Sequence, residues 1–237
     1  MSIDFFDTSF YDKESINYSE NRYLSKPNTY NKFFFQNRLN IILKMIDKYI
    51  KYQKNQTIIE DGCADGFVIK NIINKYKSNF SFAIGIDISP GMIDKAKSNT
   101  NQMVKYYIKD NFNENIKADI FLAIGFVSPG IFHNEFDFIN LYTRDNSIVV
   151  LSLPSNNSLF ARLKGREIHK DYWDFNKYEE FIKKKFEILD SKAYGLFIPK
   201  LWAFPRLAMI LQPIFENLFS PLLNLFHEKL YILKKRG

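Results

Sequence analysis

The chain has 237 residues, enough for one domain with an elaboration and a full hydrophobic core. Hydrophobic residues make up 46% of it and charged residues 25%, which is typical of a globular protein and argues against a disordered chain. The formal charge of +7 suggests an anionic partner, although a genome rich in A and T would favour Lys, Asn and Ile by itself.

The single cysteine, Cys63, excludes a disulfide within the chain and fits a reducing compartment. The chain opens without a signal-peptide pattern and holds no run of 18 apolar residues. We therefore expect a cytoplasmic protein, with peripheral contact to a membrane left open by the apolar tail described below.

Residues 1–31 are polar and rich in Tyr, Asp, Asn and Ser. The pattern fits either a frayed arm or a lid that closes over a ligand. A helix is predicted next over Lys32–Tyr52, because apolar residues recur there at helical spacing. Arg38 lies within this helix and could reach a ligand site, but we favour a solvated charge for it.

The stretch Thr57–Gly66, TIIEDGCADG, is the organising feature of the sequence. Thr57–Ile59 predicts a buried strand, and the small residues after Asp61 predict a tight turn. A helix over Phe67–Lys77 follows. Glycines allow a close approach to a ligand, and the start of the helix offers backbone N–H groups.

A second strand, Phe82–Asp87, ends in an acid about 20 residues after the glycine turn, the spacing at which an acid reaches a ribose hydroxyl pair. Ser89 and Pro90 then provide an N-cap and a first helical residue. Strand, turn, helix and strand in this order indicate a nucleotide-binding α/β domain.

These residues resemble the class I S-adenosylmethionine (SAM)-dependent methyltransferases, of the small-molecule type. Glu60–Gly66 resembles their first motif, an acid, any residue and then G-C-G-x-G, with Ala64 where the family usually has its second glycine. Asp87 in GIDISPGMIDKAK resembles the second motif, Lys109–Asp110–Asn111 the third, and Ala118–Gly125 the fourth strand. The resemblance covers about residues 40–152.

The resemblance implies an α/β fold, a Rossmann-like three-layer sandwich with a mostly parallel seven-stranded sheet. It also implies SAM as cofactor and S-adenosyl-L-homocysteine (SAH) as product. Cofactor contacts are then expected from the motif residues and their neighbours: Glu60, Gly62, Cys63, Ala64, Gly66, Asp87, Ile88, Met92, Asp110, Asn111, Phe112, Ile124 and Gly125. Residues 1–31 become an N-terminal lid, with Tyr11, Tyr18 and Arg22 as candidates for the methionine end of SAM.

The loop after the fourth strand contains His133, which we predict as a proton acceptor, with helix capping as the alternative. No metal is expected, since no cluster of His, Cys and carboxylate residues has ligand spacing. Further strands are predicted over Val104–Ile108, Asp119–Ile124, Ser147–Leu153 and Phe186–Tyr194, and further helices over Pro90–Ser98, Phe136–Tyr142 and Asn176–Lys184.

The tail contains apolar residues at helical spacing, and its prolines predict several short helices, each with proline in its first turn. We expect this helical insertion at about 195–227, before a last antiparallel strand at Lys229–Lys234, inside a methyltransferase domain of residues 32–237. The insertion could add to the core, cover the substrate, contact an anionic membrane through its basic and aromatic flanks, or form a homodimer interface.

The sequence thus predicts a methyltransferase for a small-molecule acceptor, which could be lipid-linked, phosphorylated or glycan-related. The alternatives are an RNA methyltransferase and a catalytically silent SAM-binding partner protein. Nucleic acid is the weaker partner, because the chain has no appended RNA-binding module and no Asn/Asp-Pro-Pro-aromatic tetrad.

Overall fold

The computed structural model describes residues 8–50, 52–98, 102–125, 132–164 and 173–236, with residues 132, 133 and 164 described for the backbone alone. Seven strands form one sheet: β1 (Gln56–Asp61), β2 (Phe80–Asp87), β3 (Val104–Ile108), β4 (Ala118–Ile124), β5 (Thr143–Pro154), β6 (Phe186–Leu196) and β7 (Phe226–Lys235). Each includes the strand predicted from the sequence.

The strand order is β3-β2-β1-β4-β5-β7-β6. Strands β1 to β5 pair in parallel, and β7 runs antiparallel to both of its neighbours, β5 and β6. The chain therefore has the mostly parallel, Rossmann-like sheet that the sequence predicts, including the antiparallel last strand. The order reverses between β1 and β4, which is where α/β proteins of this kind bind their ligands.

Nine α-helices lie in the described part of the chain: α1 (Thr8–Glu14), α2 (Tyr18–Arg22), α3 (Tyr30–Ile50), α4 (Phe67–Lys75), α5 (Pro90–Ser98), α6 (Phe132–Tyr142), α7 (Leu159–Lys164), α8 (Phe175–Ile182) and α9 (Pro205–Leu218). Helices α3, α4 and α5 cover one face of the sheet, and α6 and α8 cover the other. Because both faces are buried, the central strands contain apolar runs, such as Ile120–Ile124 in β4.

The largest difference from the sequence prediction concerns Pro213. We expected each proline of the tail to open a short helix, and Pro205 does stand in the first turn of α9. Pro213, however, lies inside α9, which continues past it for another five residues. Pro213 is exposed, as is Met209 one turn earlier, so water can reach the carbonyl that loses its helical N–H partner.

Candidate functional site

A narrow cleft lies where the carboxyl ends of β1 and β4 diverge. Its described walls are Tyr18, Tyr23, Arg38, Glu60, Gly62, Cys63, Ala64, Asp65, Phe67, Val68 and Ile124. Six of these were predicted as cofactor contacts from the sequence, and they come from three separate segments of the chain. The cleft has a volume of about 10 Å³, room for roughly one water molecule, because the N-terminal helices cover it.

The turn after β1 has the conformation that its small residues suggest. Gly62, Ala64 and Gly66 all have positive φ angles, of 74°, 48° and 77°. A Cβ atom added to Gly66 would lie 2.5 Å from the hydroxyl oxygen of Tyr106, so a side chain there would force the tyrosine to move. Ala64 occupies a left-handed conformation that glycine adopts at no steric cost, which gives a physical reason for the glycine that the motif usually carries there.

Asp87, at the end of β2, is buried and holds this turn in place. Its carboxylate accepts hydrogen bonds from the backbone N–H of Ala64 at 2.8 Å and of Ser89 at 3.0 Å. Burial raises the pKa of this carboxyl, and the backbone donors oppose the rise. Asp87 therefore joins the glycine turn to the start of α5, and its contact with a ribose stays a prediction.

Glu60 is buried at the end of β1, and one of its carboxylate oxygens accepts a hydrogen bond from the backbone N–H of Ile69, in the first turn of α4, at 3.0 Å. Burial raises the pKa of Glu60 to about 8, although Arg38 opposes the shift. Near neutral pH the side chain is therefore largely protonated.

The expectation that Arg38 is solvated is wrong: its side chain is 6% exposed and lines the cleft. Its Nη2 donates to the hydroxyl of Tyr23 at 3.1 Å, and its Nη1 lies 3.8 Å from Oε1 of Glu228. Its Nε is buried and has no hydrogen-bond partner among the described residues. Arg38 also packs so closely on Gly125 that any side chain at that position would collide with it.

The position of Arg38 in the sequence already indicated that its side chain faces inward. Arg38 stands three residues after Phe35 and four before Ile42, on the apolar side of its helix. A single arginine among inward-facing apolar residues is an unfavourable arrangement unless the guanidinium has partners in the interior.

The N-terminal segment, residues 8–22, is folded over the cleft. The carboxylate of Asp12 accepts hydrogen bonds from the hydroxyl of Ser89 at 2.6 Å and from the backbone N–H of Gly91 at 2.9 Å, at the start of α5. Farther along, Ser19 donates through its backbone N–H and its hydroxyl to Asp65 of the glycine turn. These contacts bring the segment onto the predicted cofactor site.

The aromatic candidates of this segment lie at the site. Tyr18 lines the cleft, and the guanidinium of Arg22 stacks 3.9 Å above its ring while pairing with Glu14 at 2.9 Å. Tyr11 is half-buried, and its pKa is raised by burial and by the nearby charge of Asp87. Both tyrosines stay predictions as cofactor contacts.

The remaining predicted contacts lie outside the walls of the cleft. Ile88 is half-buried after β2, and Met92 is buried in the first turn of α5. Asp110 and Asn111 are exposed in a short 3-10 helix after β3. Phe112 is buried, with its ring 4.8 Å from that of Tyr142 and 5.3 Å from that of Tyr107. The aromatic ring of Phe112 thus belongs to the core under the third motif.

Gly125 follows β4 directly, and its backbone N–H donates to the hydroxyl of Ser152 at 2.8 Å. The loop 126–131 and the side chain of His133 lie outside the described residues, and only the backbone of His133 is placed, in the first turn of α6. In the described parts of the chain, no group of three or more His, Cys, Asp or Glu residues is arranged to hold a metal ion.

An ionic cluster beside the cleft was not predicted from the sequence. The ammonium group of Lys109 lies 2.8 Å from Oδ2 of Asp61 and 2.8 Å from both carboxylate oxygens of Glu135. Burial opposes the charged form of Lys109, but the two carboxylates outweigh it and raise its pKa. The clue in the sequence was Asp61, an acid at a strand position that is more often apolar.

Several solved structures are similar to this chain over nearly its whole length. The magnesium protoporphyrin IX methyltransferase ChlM from Synechocystis PCC 6803, solved with bound SAH, matches with a TM-score of 0.64 at 10% identity, over 98% of this chain and 96% of that one. The N-methyltransferase NodS from Bradyrhizobium japonicum WM9, also in complex with SAH, matches with a TM-score of 0.63 at 10% identity, over 97% and 98% of the two chains.

A chain of the complex between the Haloferax volcanii Trm112 methyltransferase activator and the putative methyltransferase matches with a TM-score of 0.64 at 13% identity, over 98% of this chain and 96% of that one. No protein-family model matches the chain, and no curated protein matches it in sequence. The likeness to class I SAM-dependent methyltransferases that the motifs predicted is thus confirmed for the fold.

Proposed function

We propose that the protein is a SAM-dependent methyltransferase that acts on a small-molecule acceptor. The observation that carries the proposal is the cleft at the point where the strand order reverses, walled by the glycine turn of β1, by Arg38 and by the N-terminal segment. Dinucleotides and related cofactors bind at this position in open α/β sheets.

The residues of the cleft fit the chemical groups of SAM. Arg38 offers a buried guanidinium whose Nε has no hydrogen-bond partner among the described residues, which suits the carboxylate of the methionine part. The left-handed turn at Gly62–Gly66 leaves backbone without side chains for close approach. Asp87 would accept the ribose hydroxyls, and the exposed Asp110 and Asn111 would contact the adenine.

SAM carries a methyl group on a positively charged sulfur. An oxygen, nitrogen or carbon nucleophile of the acceptor takes this methyl group by in-line displacement, and SAH leaves. The contribution of the chain is to orient both reactants and to exclude water. The segment 8–22, held by Asp12 and Ser19, covers the cleft and provides that exclusion. His133, in the first turn of α6, is our candidate for removing a proton from the acceptor.

The proposed acceptor is a small molecule, with lipid-linked, phosphorylated and glycan-related compounds as its candidate classes. Untargeted metabolite profiling of a deletion strain should reveal compounds lighter by one methyl group than those of the parent strain. Restoring the gene should reverse the change. Identical profiles under all growth conditions would favour a silent SAM-binding protein.

The cofactor is tested by isothermal titration calorimetry on the full chain. We expect SAM and SAH to bind with dissociation constants of roughly micromolar order, about −8 kcal/mol, and NAD to give no heat of binding. NAD shares the adenosine part but has no methionine carboxylate, so it is a matched negative control. Clear binding of NAD without binding of SAM would reject the proposal.

A further inference from the structure

Helix α9 has its polar and apolar sides reversed relative to an ordinary surface helix. Leu207, Ile210, Ile214 and Leu218 are spaced by three and four residues and therefore form one stripe along the helix. Their exposed fractions are 48%, 64%, 55% and 66%. Phe204 extends the exposed apolar surface before the helix and Leu222 and Leu223 extend it after the helix, and Met209 is exposed within the helix. We call these eight residues the α9 surface.

The opposite side of α9 faces the domain, with Ala208 and Gln212 buried and Glu216 half-buried. The amide of Gln212 donates to the carbonyl of Leu196 and, at 3.2 Å, to Glu216. Glu216 in turn accepts hydrogen bonds from the side chain of Asn37 at 2.9 Å and from the backbone N–H of Leu196 at 3.3 Å. Polar contacts thus fix the helix to the domain, and the apolar stripe faces outward.

The exposed charges that the insertion itself carries are positive, and the nearest described acid at its far end is Asp174, which lines a hollow together with Leu222 and Leu223. Between residues 197 and 226 the charged residues are Lys200, Arg206 and Glu216. Both cations are exposed, whereas Glu216 is half-buried and bonded to Asn37 and Leu196. A third exposed cation, Arg162, donates to the carbonyl of Asn224 near the other end. An exposed apolar surface with cations at its borders is complementary to an anionic lipid surface.

The α9 surface lies at the same edge of the sheet as the cleft. Strand β6 runs parallel to β5, since both are antiparallel to β7, and the insertion starts at the carboxyl end of β6. Aromatic contacts link its beginning to α3, with Phe197 packed 5.2 Å from Tyr30 and Trp202 packed 5.3 Å from Phe33.

We propose that the α9 surface docks the protein onto an anionic lipid bilayer, with the apolar stripe in the interfacial region and Lys200, Arg206 and Arg162 at the head-group level. No helix in the described part of the chain is long and apolar enough to cross a membrane. The stripe consists of aliphatic side chains without hydrogen-bonding groups, which suits acyl chains. Two copies meeting through this surface would bring its cations together in a chain that already has a charge of +7.

The test is flotation of the full chain with vesicles of phosphatidylcholine, or of phosphatidylcholine mixed with phosphatidylglycerol. We expect the protein to float with the anionic vesicles and to float much less with the neutral ones. Raising the salt concentration should weaken binding, because exposed charges are screened beyond about 10 Å at 0.1 M salt.

Two pairs of variants locate the contact. Ile210→Ser with Ile214→Ser should lower the partition coefficient by roughly tenfold or more, since apolar area would no longer enter the bilayer. Leu141→Ser is the matched control, because Leu141 is 57% exposed on α6, away from this surface. Lys200→Asn with Arg206→Gln should weaken binding to anionic vesicles, whereas Lys97→Asn with Lys192→Gln removes two exposed charges elsewhere and should have a smaller effect.

Calorimetry with SAH on the same variants separates this proposal from the proposed function, since neither Ile210 nor Ile214 lines the cleft. Loss of flotation with unchanged SAH binding, or in a chain that never binds SAH, supports the docking surface. The proposal is overturned if the wild-type chain stays unbound with every vesicle, or if Ile210→Ser with Ile214→Ser floats as well as wild type. It is also overturned if sedimentation velocity shows a dimer that these substitutions convert to monomer.

Discussion

At the scale of single residues, Arg38 is the most informative side chain of the site. Removing an ion from water costs several kcal/mol even after the protein relaxes, so a buried guanidinium needs partners. The described polar partners of Arg38 are the hydroxyl of Tyr23 and the more distant carboxylate of Glu228, its guanidinium also lies 4.6 Å from the ring centre of Phe35, and Nε has no hydrogen-bond partner. A ligand carboxylate would complete this incomplete set, which is the reason for assigning Arg38 to the methionine end of SAM.

We predict that Arg38→Met weakens SAH binding by roughly tenfold or more, because a charge-assisted hydrogen bond contributes about 1.5–3 kcal/mol. Binding of 5′-methylthioadenosine, which lacks the amino-acid carboxylate, should change far less. Calorimetry with both ligands on the wild type and the variant gives the difference. Arg22→Met is the control, since Arg22 pairs with Glu14 on the covering segment.

An equal loss of affinity for both ligands would mean that the variant has damaged the cleft as a whole and that Arg38 does not recognise a carboxylate. Thermal unfolding of the variant without ligand would detect such damage directly.

At the scale of elements, the covering segment 8–22 is attached to the domain by a few polar contacts. Its fully buried residues are Ser15 and Ser19, and of its described apolar side chains Tyr18 packs against the core while partly buried. Segments held by few buried apolar contacts open at low free-energy cost. The cleft beneath it is far smaller than a nucleotide, so this segment must move before a cofactor enters.

We predict that Asp12→Ala speeds hydrogen exchange of the amides in 8–22 by roughly tenfold or more, because two hydrogen bonds to a carboxylate are lost. Hydrogen-exchange mass spectrometry measures this, and SAH should slow the exchange again if the segment closes over it. Asp94→Ala, at an exposed position of α5, is the control. Exchange that is equally fast in Asp12→Ala and the control would show that Asp12 does not hold the segment.

The sequence predicted elements better than contacts, for a physical reason. The parallel strands are buried on both faces, so continuous apolar runs such as Ile120–Ile124 stand out from the neighbouring sequence. The glycine turn and Asp87 were found because each depends on local backbone geometry and spacing. The sequence placed Lys109 in the third motif but did not indicate its ionic partners, because Asp61 and Glu135 are 48 and 26 residues away in the chain. Such pairings depend on how the strands and helices pack in three dimensions.

At the scale of the whole molecule, the features linked to function gather at one edge of the sheet. The cleft, the covering segment and the insertion with α9 all lie where the parallel strands end. The rest of the domain is a conventional two-sided core. Glu60 and Asp87 are buried at this same edge, and burial raises the pKa of both carboxyl groups. The free energy of unfolding should therefore depend on the protonation of these two side chains.

The clearest such dependence is expected from Glu60, whose pKa rises from 4.5 to about 8 on burial. Between these two values the unfolded chain releases the proton while the folded chain keeps it. The unfolded state then binds fewer protons, so the contribution of Glu60 to the free energy of unfolding falls as pH increases, by up to about 1.4 kcal/mol per pH unit. Stabilisation is complete below pH 4.5 and is lost as pH rises towards 8.

Glu60→Gln should remove this contribution, because the amide cannot ionise but can still accept the hydrogen bond from Ile69. Urea unfolding of the chain without cofactor, between pH 5 and 8, should therefore give a flatter dependence of the unfolding free energy on pH in this variant. Glu187→Gln, at an exposed position of β6, should keep the slope of the wild type. Parallel slopes for wild type and Glu60→Gln would mean that Glu60 is ionised in the folded chain, with Arg38 as its counter-charge across the cleft.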